Sequence, residues 1–539
     1  MAEIKSAFRC RILLAAGVLA FGLVSGAQAT NGPEVGPNIQ VNDPQQLPPN
    51  DWPNRNTPSL AASDDGERLV AVFEDFQGFC GFPNNRPCPA PVPPGLTGFS
   101  WSNDGGETWT DGGTLPPIGD ATTVGHPWID RGGSGQHEYF YAVSRMRGGP
   151  TGLALRGLGL YRGRFSNGTF VWDTAIIVNS TNPNDQWSRA AIAAAKDNSG
   201  AVYVAYVNVL ELCGLPSFGF GQIEVLRSWD RGQSWQGPVI VSPDTAESSD
   251  PNDPLCGVLG PLQVAPAVTV GRFPNEVFVV WQKGPRLLDL TGGTEPSSSI
   301  AFARSITGGL FFSQPQTLTT INANYQNTPV GHGKSRQNDQ PRIAVATSGK
   351  HHGRIYVTYY QPVAPVQSPI TVQSPTSAQV YLKYSDTYGL FWSSPKEVAP
   401  PVPATGVKRW WPTVSVRPGG DVDVVYIESQ ERQNTPNPTD IECDMPTGVG
   451  RRVGPLSSNT DIYWVQSEDG GNTFSSPLLV SEQTTNWCTK FYTFSNGVFS
   501  NIGDYLGSTS VGNRTYVLFP DGRNGFSDVF FTEIKGDAD

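Results

Sequence analysis

An eight-residue pattern that recurs five times restricts the fold more than any other feature of this chain. Ser102 to Trp109 reads S-N-D-G-G-E-T-W, Ser228 to Trp235 reads S-W-D-R-G-Q-S-W, and Ser467 to Phe474 reads S-E-D-G-G-N-T-F. Looser copies run from Ser305 to Phe312 (S-I-T-G-G-L-F-F) and from Ser385 to Trp392 (S-D-T-Y-G-L-F-W), with Thr in place of the central Asp. Each position suits a tight hairpin. Ser and Asp side chains accept hydrogen bonds from turn N–H groups, and Gly takes φ > 0 without penalty. The terminal aromatic can pack beneath the turn. One copy would be a turn; several at intervals mark a repeat architecture.

The first 29 residues read as a secretory leader. Lys5, Arg9 and Arg11 precede the apolar run Ile12 to Val24, and Ala27-Gln28-Ala29 supplies a small-residue cleavage site. The mature domain is then 30–539, directed to the outside of the cell or the periplasm, and no later stretch reads as a membrane span. With 60 Gly, 47 Pro and only 16% charged residues, the remainder suits short strands and turns. A net charge of −11 argues against nucleic acid as a partner. Cys80, Cys88, Cys213, Cys256, Cys443 and Cys488 follow the leader, an even set that implies disulfides in an oxidising compartment.

Between the hairpins a three-strand unit is written seven times. First strands start at Thr57, His126, Ser188, Ala265, Gln340, Trp411 and Ile502, most of them beside a Pro or Trp. Second strands are β-branched and aromatic, as in Arg68 to Asp75, Ala201 to Val207 and Asp421 to Glu428. The last unit lacks a fourth strand, and Asn38 to Val41 is a spare one that would complete it and remove the open edge. The expectation is an all-β, seven-bladed β-propeller closed by an N-terminal strand. A six-bladed ring is the alternative, because the turn at Arg164 to Phe170 lacks the octapeptide. The hairpins fall on one face and the long insertions on the other. Every cysteine after the leader lies in those insertions, and the strand map pairs Cys80 with Cys88, Cys213 with Cys256, and Cys443 with Cys488. Asp244, Asp250 and Asp253 share one insertion and form a candidate Ca²⁺ loop, although solvated loop acids are the favoured explanation. No other cofactor is indicated, and the histidines show no zinc spacing.

The insertion-rich face gathers a polar rim. First-strand starts supply Arg55, His126, Trp128, Trp187, Arg189, Arg342, Arg409, Trp410, Trp411, Asp504 and Tyr505; second-strand ends supply Glu74, Asp75 and Glu428. Guanidinium forks suit carboxylates and indole faces suit sugar rings. The hairpins and the unit pattern resemble the sialidase-like BNR/Asp-box superfamily over nearly the whole mature chain. That resemblance implies an arginine triad for a substrate carboxylate, a Tyr nucleophile activated by Glu, and an Asp acid/base. The first triad arginine of the family lies in a Phe-Arg-Ile-Pro motif; here the place reads Asn54-Arg55-Asn56-Thr57-Pro58, one residue longer. Carried over, the resemblance points to Arg55 and, among Arg189, Arg342 and Arg409, to further carboxylate ligands. Tyr505 becomes the nucleophile, Glu428 its partner and Asp75 the acid/base. Trp187, Trp410 and Trp411 are candidate sugar platforms, with blade packing as the competing role for the Trp pair.

Three functions fit these residues. One is a secreted, sialidase-like glycoside hydrolase acting on acidic glycans. Another is a non-catalytic propeller that binds a glycan, a polysaccharide or a surface protein. The third is a polysaccharide lyase using a Tyr or His base.

Overall fold

The computed structural model describes residues 32–43, 54–76, 95–148, 154–179, 186–212, 215–242, 261–286, 298–321, 341–363, 377–403, 406–432, 457–487, 492–494, 497–499 and 502–536. The leader, the cysteines of the three expected disulfides, and Asp244, Asp250 and Asp253 lie outside the described residues.

The fold is all-β, with antiparallel sheets set face to face like the blades of a propeller. Alternate residues of one strand show how the blades hold together. In Val202–Leu212, Tyr203, Ala205 and Val207 pack into a core shared with Val268, Val279 and Trp281 of the following sheet. Val202, Val204 and Tyr206 pack into another core with Tyr141, Val143 and Leu160 of the preceding sheet. A strand covered on both sides must be apolar on both, which explains the continuous β-branched and aromatic runs. Leu69–Asp75 is buried at every position, apolar through Phe73 and ending in the buried acids Glu74 and Asp75.

Among the described residues, separate sheets of four or five strands number five, not the seven blades expected or the alternative six. The difference lies in one nine-stranded sheet. Its first part runs from Arg342–Val345 to Ala378–Ser385 with Lys396–Glu397, and its second from Val407–Val416 to Ser457–Ser467. A single parallel pair, Ala378 with Lys408, joins the two parts. The N-terminal segment does close the last sheet: Glu34–Val35 and Ile39–Gln40 both pair antiparallel with Asp528–Lys535. Val41 N–H adds a bond to Val529 O at 2.9 Å.

All five octapeptides form the same clasp at a strand-to-strand turn. The first Ser hydroxyl accepts the N–H of the fifth-position Gly at 2.7–3.0 Å in every copy. In the three full copies that hydroxyl donates to the central Asp at 2.7–2.8 Å. The same Asp accepts the N–H of Thr108, Ser234 or Thr473 at 2.9–3.0 Å, and its second oxygen accepts their hydroxyls at 2.5–2.6 Å. In the looser copies Thr307 and Thr387 take over with one hydroxyl, accepting Phe311 N–H at 3.1 Å and Phe391 N–H at 2.8 Å. Gly is required at the fifth position for two reasons. Gly106 has φ of 94° and Gly389 of 79°, and a Cβ at either would lie 2.3 Å from the Phe531 or Phe302 ring of the neighbouring sheet. Arginines from outside the turn hold three of the five tips within 3.1 Å. Arg162 donates to Arg231 O at 3.1 Å, Arg304 to Tyr388 O at 2.7 Å and Arg354 to Gly470 O at 2.8 Å.

The clasps make the hairpins sensitive to acid. Partial burial alone would raise the Asp469 carboxyl, but hydrogen bonds from Thr473 and Ser467 outweigh it and hold it at about 2. The carboxyls of Asp104 and Asp230 are lowered in the same way. A carboxyl depressed in the folded state stabilises fully above its unfolded pKa and loses that contribution as pH falls through the folded value. The contribution of Asp469 therefore fades between about pH 4 and pH 2. Asp469→Asn should lower stability at neutral pH yet lose less on acidification, as urea unfolding across that window will read. Parallel acid profiles for variant and wild type would contradict the clasp.

Candidate functional site at the channel mouth

The inner strands surround a channel of about 640 Å³. Hydroxyls of Ser59, Thr413, Ser415, Ser508 and Ser510 line it, with Arg342 and Trp128. Several inner strands begin with the same irregularity. Thr57, Arg189, Ala265 and Trp411 have φ of 46–53°, and the ladder register breaks at each of them. His126 shares the conformation, with φ of 53°. Pro follows Thr57, His126, Ala265 and Trp411, so the bulge falls where the chain has no N–H to give to the ladder. Left-handed backbone at non-Gly residues costs of order 1–3 kcal/mol each, and such strain gathers at working sites. Among the described residues, five of the nine non-glycine residues with positive φ lie at the starts of inner strands, and Asn167, Arg231, His351 and Tyr388 lie in turns.

Three side chains stack across that mouth. The Tyr505 and Trp128 rings lie 5.3 Å apart at 51°. The Arg342 guanidinium sits 4.2 Å from the Trp128 ring centroid and 4.8 Å from that of Tyr505. Such cation–π contacts are strongest when desolvated, and Arg342 and Tyr505 are both buried. The Tyr505 hydroxyl donates to Pro127 O. Beyond the stack a cavity of about 10 Å³, room for a single water, is lined by His126, Trp128, Arg189 and Tyr505.

Carboxylates flank this stack. His126 Nδ1 lies 3.4 Å from Glu74 Oε1 and 3.4 Å from Asp504 Oδ2, and its backbone N–H donates to Glu74 Oε1 at 2.9 Å. Asp504 N–H donates to Thr57 Oγ1 at 3.1 Å, which links the last inner strand to the first. Burial pushes the Tyr505 phenol well above its usual range; Glu74 adds to the rise, while Arg342 and Arg189 oppose it. Burial also brings the Arg342 guanidinium down to about 9, still a cation at neutral pH.

The structure thus brings Tyr505, Arg342 and Arg189 together and places the other expected residues elsewhere. Glu428 is not the carboxylate set against Tyr505. It sits opposite Arg409 in the ladder and accepts Arg409 Nε at 2.7 Å. Among the described residues, the carboxylates whose charge acts on Tyr505 are Glu74 and Asp504. Asp75 is likewise the cross-strand partner of Arg55, at 3.1 Å. Arg55 also donates to Asp43 O at 2.9 Å, so this pair ties the closing N-terminal segment to the first sheet. The three tryptophans offered as platforms are core residues. Trp187 is buried against Tyr206 with ring centroids 4.5 Å apart. Trp410 is fully buried, donates to Ser429 Oγ at 3.0 Å and packs on Trp411 at 4.4 Å.

No family model matches the chain, and no curated protein does. Among solved structures it is similar to an α-L-arabinofuranosidase of Fusarium graminearum bound to arabinobiose (11% identity, 93% of this chain and 98% of that one, TM-score 0.43). It is similar to a polysaccharide lyase acting on ulvan (10% identity, 89% and 94%, TM-score 0.42). It is also similar to a sialidase of Trypanosoma rangeli (11% identity, 70% and 53%, TM-score 0.38). The resemblance to the sialidase-like superfamily rests on the clasped hairpins and on the propeller arrangement of the sheets.

Proposed function

We propose that this chain is a secreted, glycan-directed propeller that receives an acidic sugar at the channel mouth and hydrolyses its glycosidic bond. The observation carrying this reading is the Arg342 guanidinium packed against both the Trp128 and Tyr505 rings, with Arg189 beside the same tyrosine. Two guanidiniums beside aromatic faces match a sugar bearing a carboxylate. Tyr505 is the nucleophile, and its proton passes to the Glu74, His126 and Asp504 group rather than to Glu428. A second reading, binding without turnover, is favoured by one contact: the Tyr505 hydroxyl is spent on Pro127 O.

The ring belonging to this reading has seven blades. The nine-stranded sheet counts as two, since among the described residues a single ladder pair, Ala378 with Lys408, joins its halves. Inner strands touch one after another around the channel, and Gly507–Val511 returns to touch Arg55–Ala62. The disulfides Cys80–Cys88, Cys213–Cys256 and Cys443–Cys488 belong to the same proposal.

The test is hydrolysis of fluorogenic sialosides and uronides by the wild-type protein. Turnover of an acidic glycoside supports the hydrolase. Tight binding of an acidic glycan with no turnover selects the second reading, and neither outcome on any acidic glycan removes both.

A further inference from the structure

The hairpins on the opposite face differ among themselves in a way the fold does not require. At the sixth and seventh positions, three carry Glu107-Thr108, Gln233-Ser234 and Asn472-Thr473. The two neighbouring looser copies carry Leu310-Phe311 and Leu390-Phe391. Phe311 is 73% and Phe391 75% exposed, with Leu310 at 48% and Leu390 at 54%. Ile306 (61%) and Phe273 (57%) extend the same surface. The two tips adjoin: Arg304 donates to Tyr388 O at 2.7 Å, and Arg272 lies 5.4 Å from the Phe273 ring and 4.8 Å from the Tyr388 ring.

This substitution weakens the hairpins that carry it. Phe at the seventh position cannot supply the hydroxyl that Thr108, Ser234 and Thr473 give to the central Asp. The Asp itself has become Thr307 or Thr387, so each tip has lost a carboxylate together with a polar side chain. Both changes make a tip cheaper to remove from water, and a local rule broken without local gain points to an external use. Three-quarters exposure means that the Phe rings project. They are shaped to enter a soft apolar phase, not to line a cleft for another chain. The guanidiniums of Arg272 and Arg304 lie against Tyr388 at the base of the tips, Arg272 also 3.6 Å from a Glu276 carboxylate oxygen, so the tips themselves present only apolar side chains at their sixth and seventh positions.

We propose that the two apolar hairpin tips, Leu310-Phe311 and Leu390-Phe391, dock this protein on a phospholipid surface, with the channel mouth facing away. The contact is interfacial: no helix among the described residues is long and apolar enough to cross a membrane. It uses none of the residues at the mouth and stands whether or not the chain turns over a glycan.

Flotation of the full chain with phosphatidylcholine vesicles, and with vesicles that also contain phosphatidylglycerol, tests it. The variant is Phe311→Thr with Phe391→Thr, which restores the hydroxyl of the other hairpins and so leaves the fold intact. Wild type should float with both vesicle types. The variant's bound fraction should fall by about tenfold or more at unchanged or higher Tm. Wild type remaining unbound overturns the proposal, as does a variant that floats equally well. So does a concentration-dependent dimer of wild type, abolished by the same substitutions, with no vesicle binding; the tips would then join two copies of the chain.

Discussion

Replacing Tyr505 by phenylalanine should lower turnover of an acidic glycoside by at least about 10³-fold while leaving its binding within a factor of a few. The substitution keeps the ring that packs 5.3 Å from Trp128 and 4.8 Å from the Arg342 guanidinium, and removes only the hydroxyl. That hydroxyl donates to Pro127 O, so its loss costs about 0.5–1.5 kcal/mol of stability, too little to unfold the domain. A loss of kcat without a matching rise in Kd separates a nucleophile from a structural phenol. Turnover retained at the wild-type rate would show that Tyr505 only packs the mouth.

The largest effect on stability is expected at Asp423. It is fully buried and accepts bonds from Arg417 Nε at 2.9 Å, Trp464 Nε1 at 3.1 Å and Ser510 Oγ at 2.8 Å. Arg417 reaches on to Thr515 Oγ1 at 3.1 Å, so this pair joins the end of the nine-stranded sheet to the last sheet. Asp423→Ala leaves a buried guanidinium without its counter-charge, a defect that costs about 3–5 kcal/mol. The double variant Asp423→Leu with Arg417→Met removes both charges and should recover much of that loss, because a buried pair replaced by packed apolar groups is often close to neutral. Urea unfolding of the single and double variants reads both. A single variant within about 1 kcal/mol of wild type would mean that the network is not what holds the sheets together there.

The parts of the fold written in local chemistry were legible in the residues. Ser, Asp and Gly at fixed spacing specify a clasp needing only their own turn, and all five octapeptides form it. The spare N-terminal strand was legible because the last unit lacked one, and it pairs with Asp528–Lys535. The nine-stranded sheet was not, since a one-residue edge contact between Ala378 and Lys408 leaves no pattern in either strand.

The site divides along the same line. Placing Arg342, Arg189, Trp128, His126 and Tyr505 at one mouth needed only the rule that inner strands start on one face. Choosing the partner of Tyr505 needed cross-strand register. Arg55 faces Asp75 and Arg409 faces Glu428, so both expected acids are consumed by the arginines directly opposite. Glu74, one residue before Asp75, points to the other face of its strand and reaches His126. A weak signal existed in the Glu74-Asp75 doublet, because period-two alternation sends its members to different neighbours. Nothing in the residues distinguished Trp187, Trp410 and Trp411, which became core, from Trp128, which lines the channel. Each starts an inner strand, and only the packing of the neighbouring sheet decides which rings are covered.

The claim that the arginine–aromatic stack reads an acidic sugar is tested most directly by an array of sialylated, uronate-bearing and neutral glycans, probed with wild type and with Arg342→Met. Methionine keeps an unbranched stem beside the two rings and removes the charge. Wild type should bind acidic glycans over neutral ones, and the variant should lose that binding by about tenfold or more, as expected for a lost charge-assisted contact. Acidic glycans held equally by the variant, or an array that responds to neutral glycans alone, would contradict it.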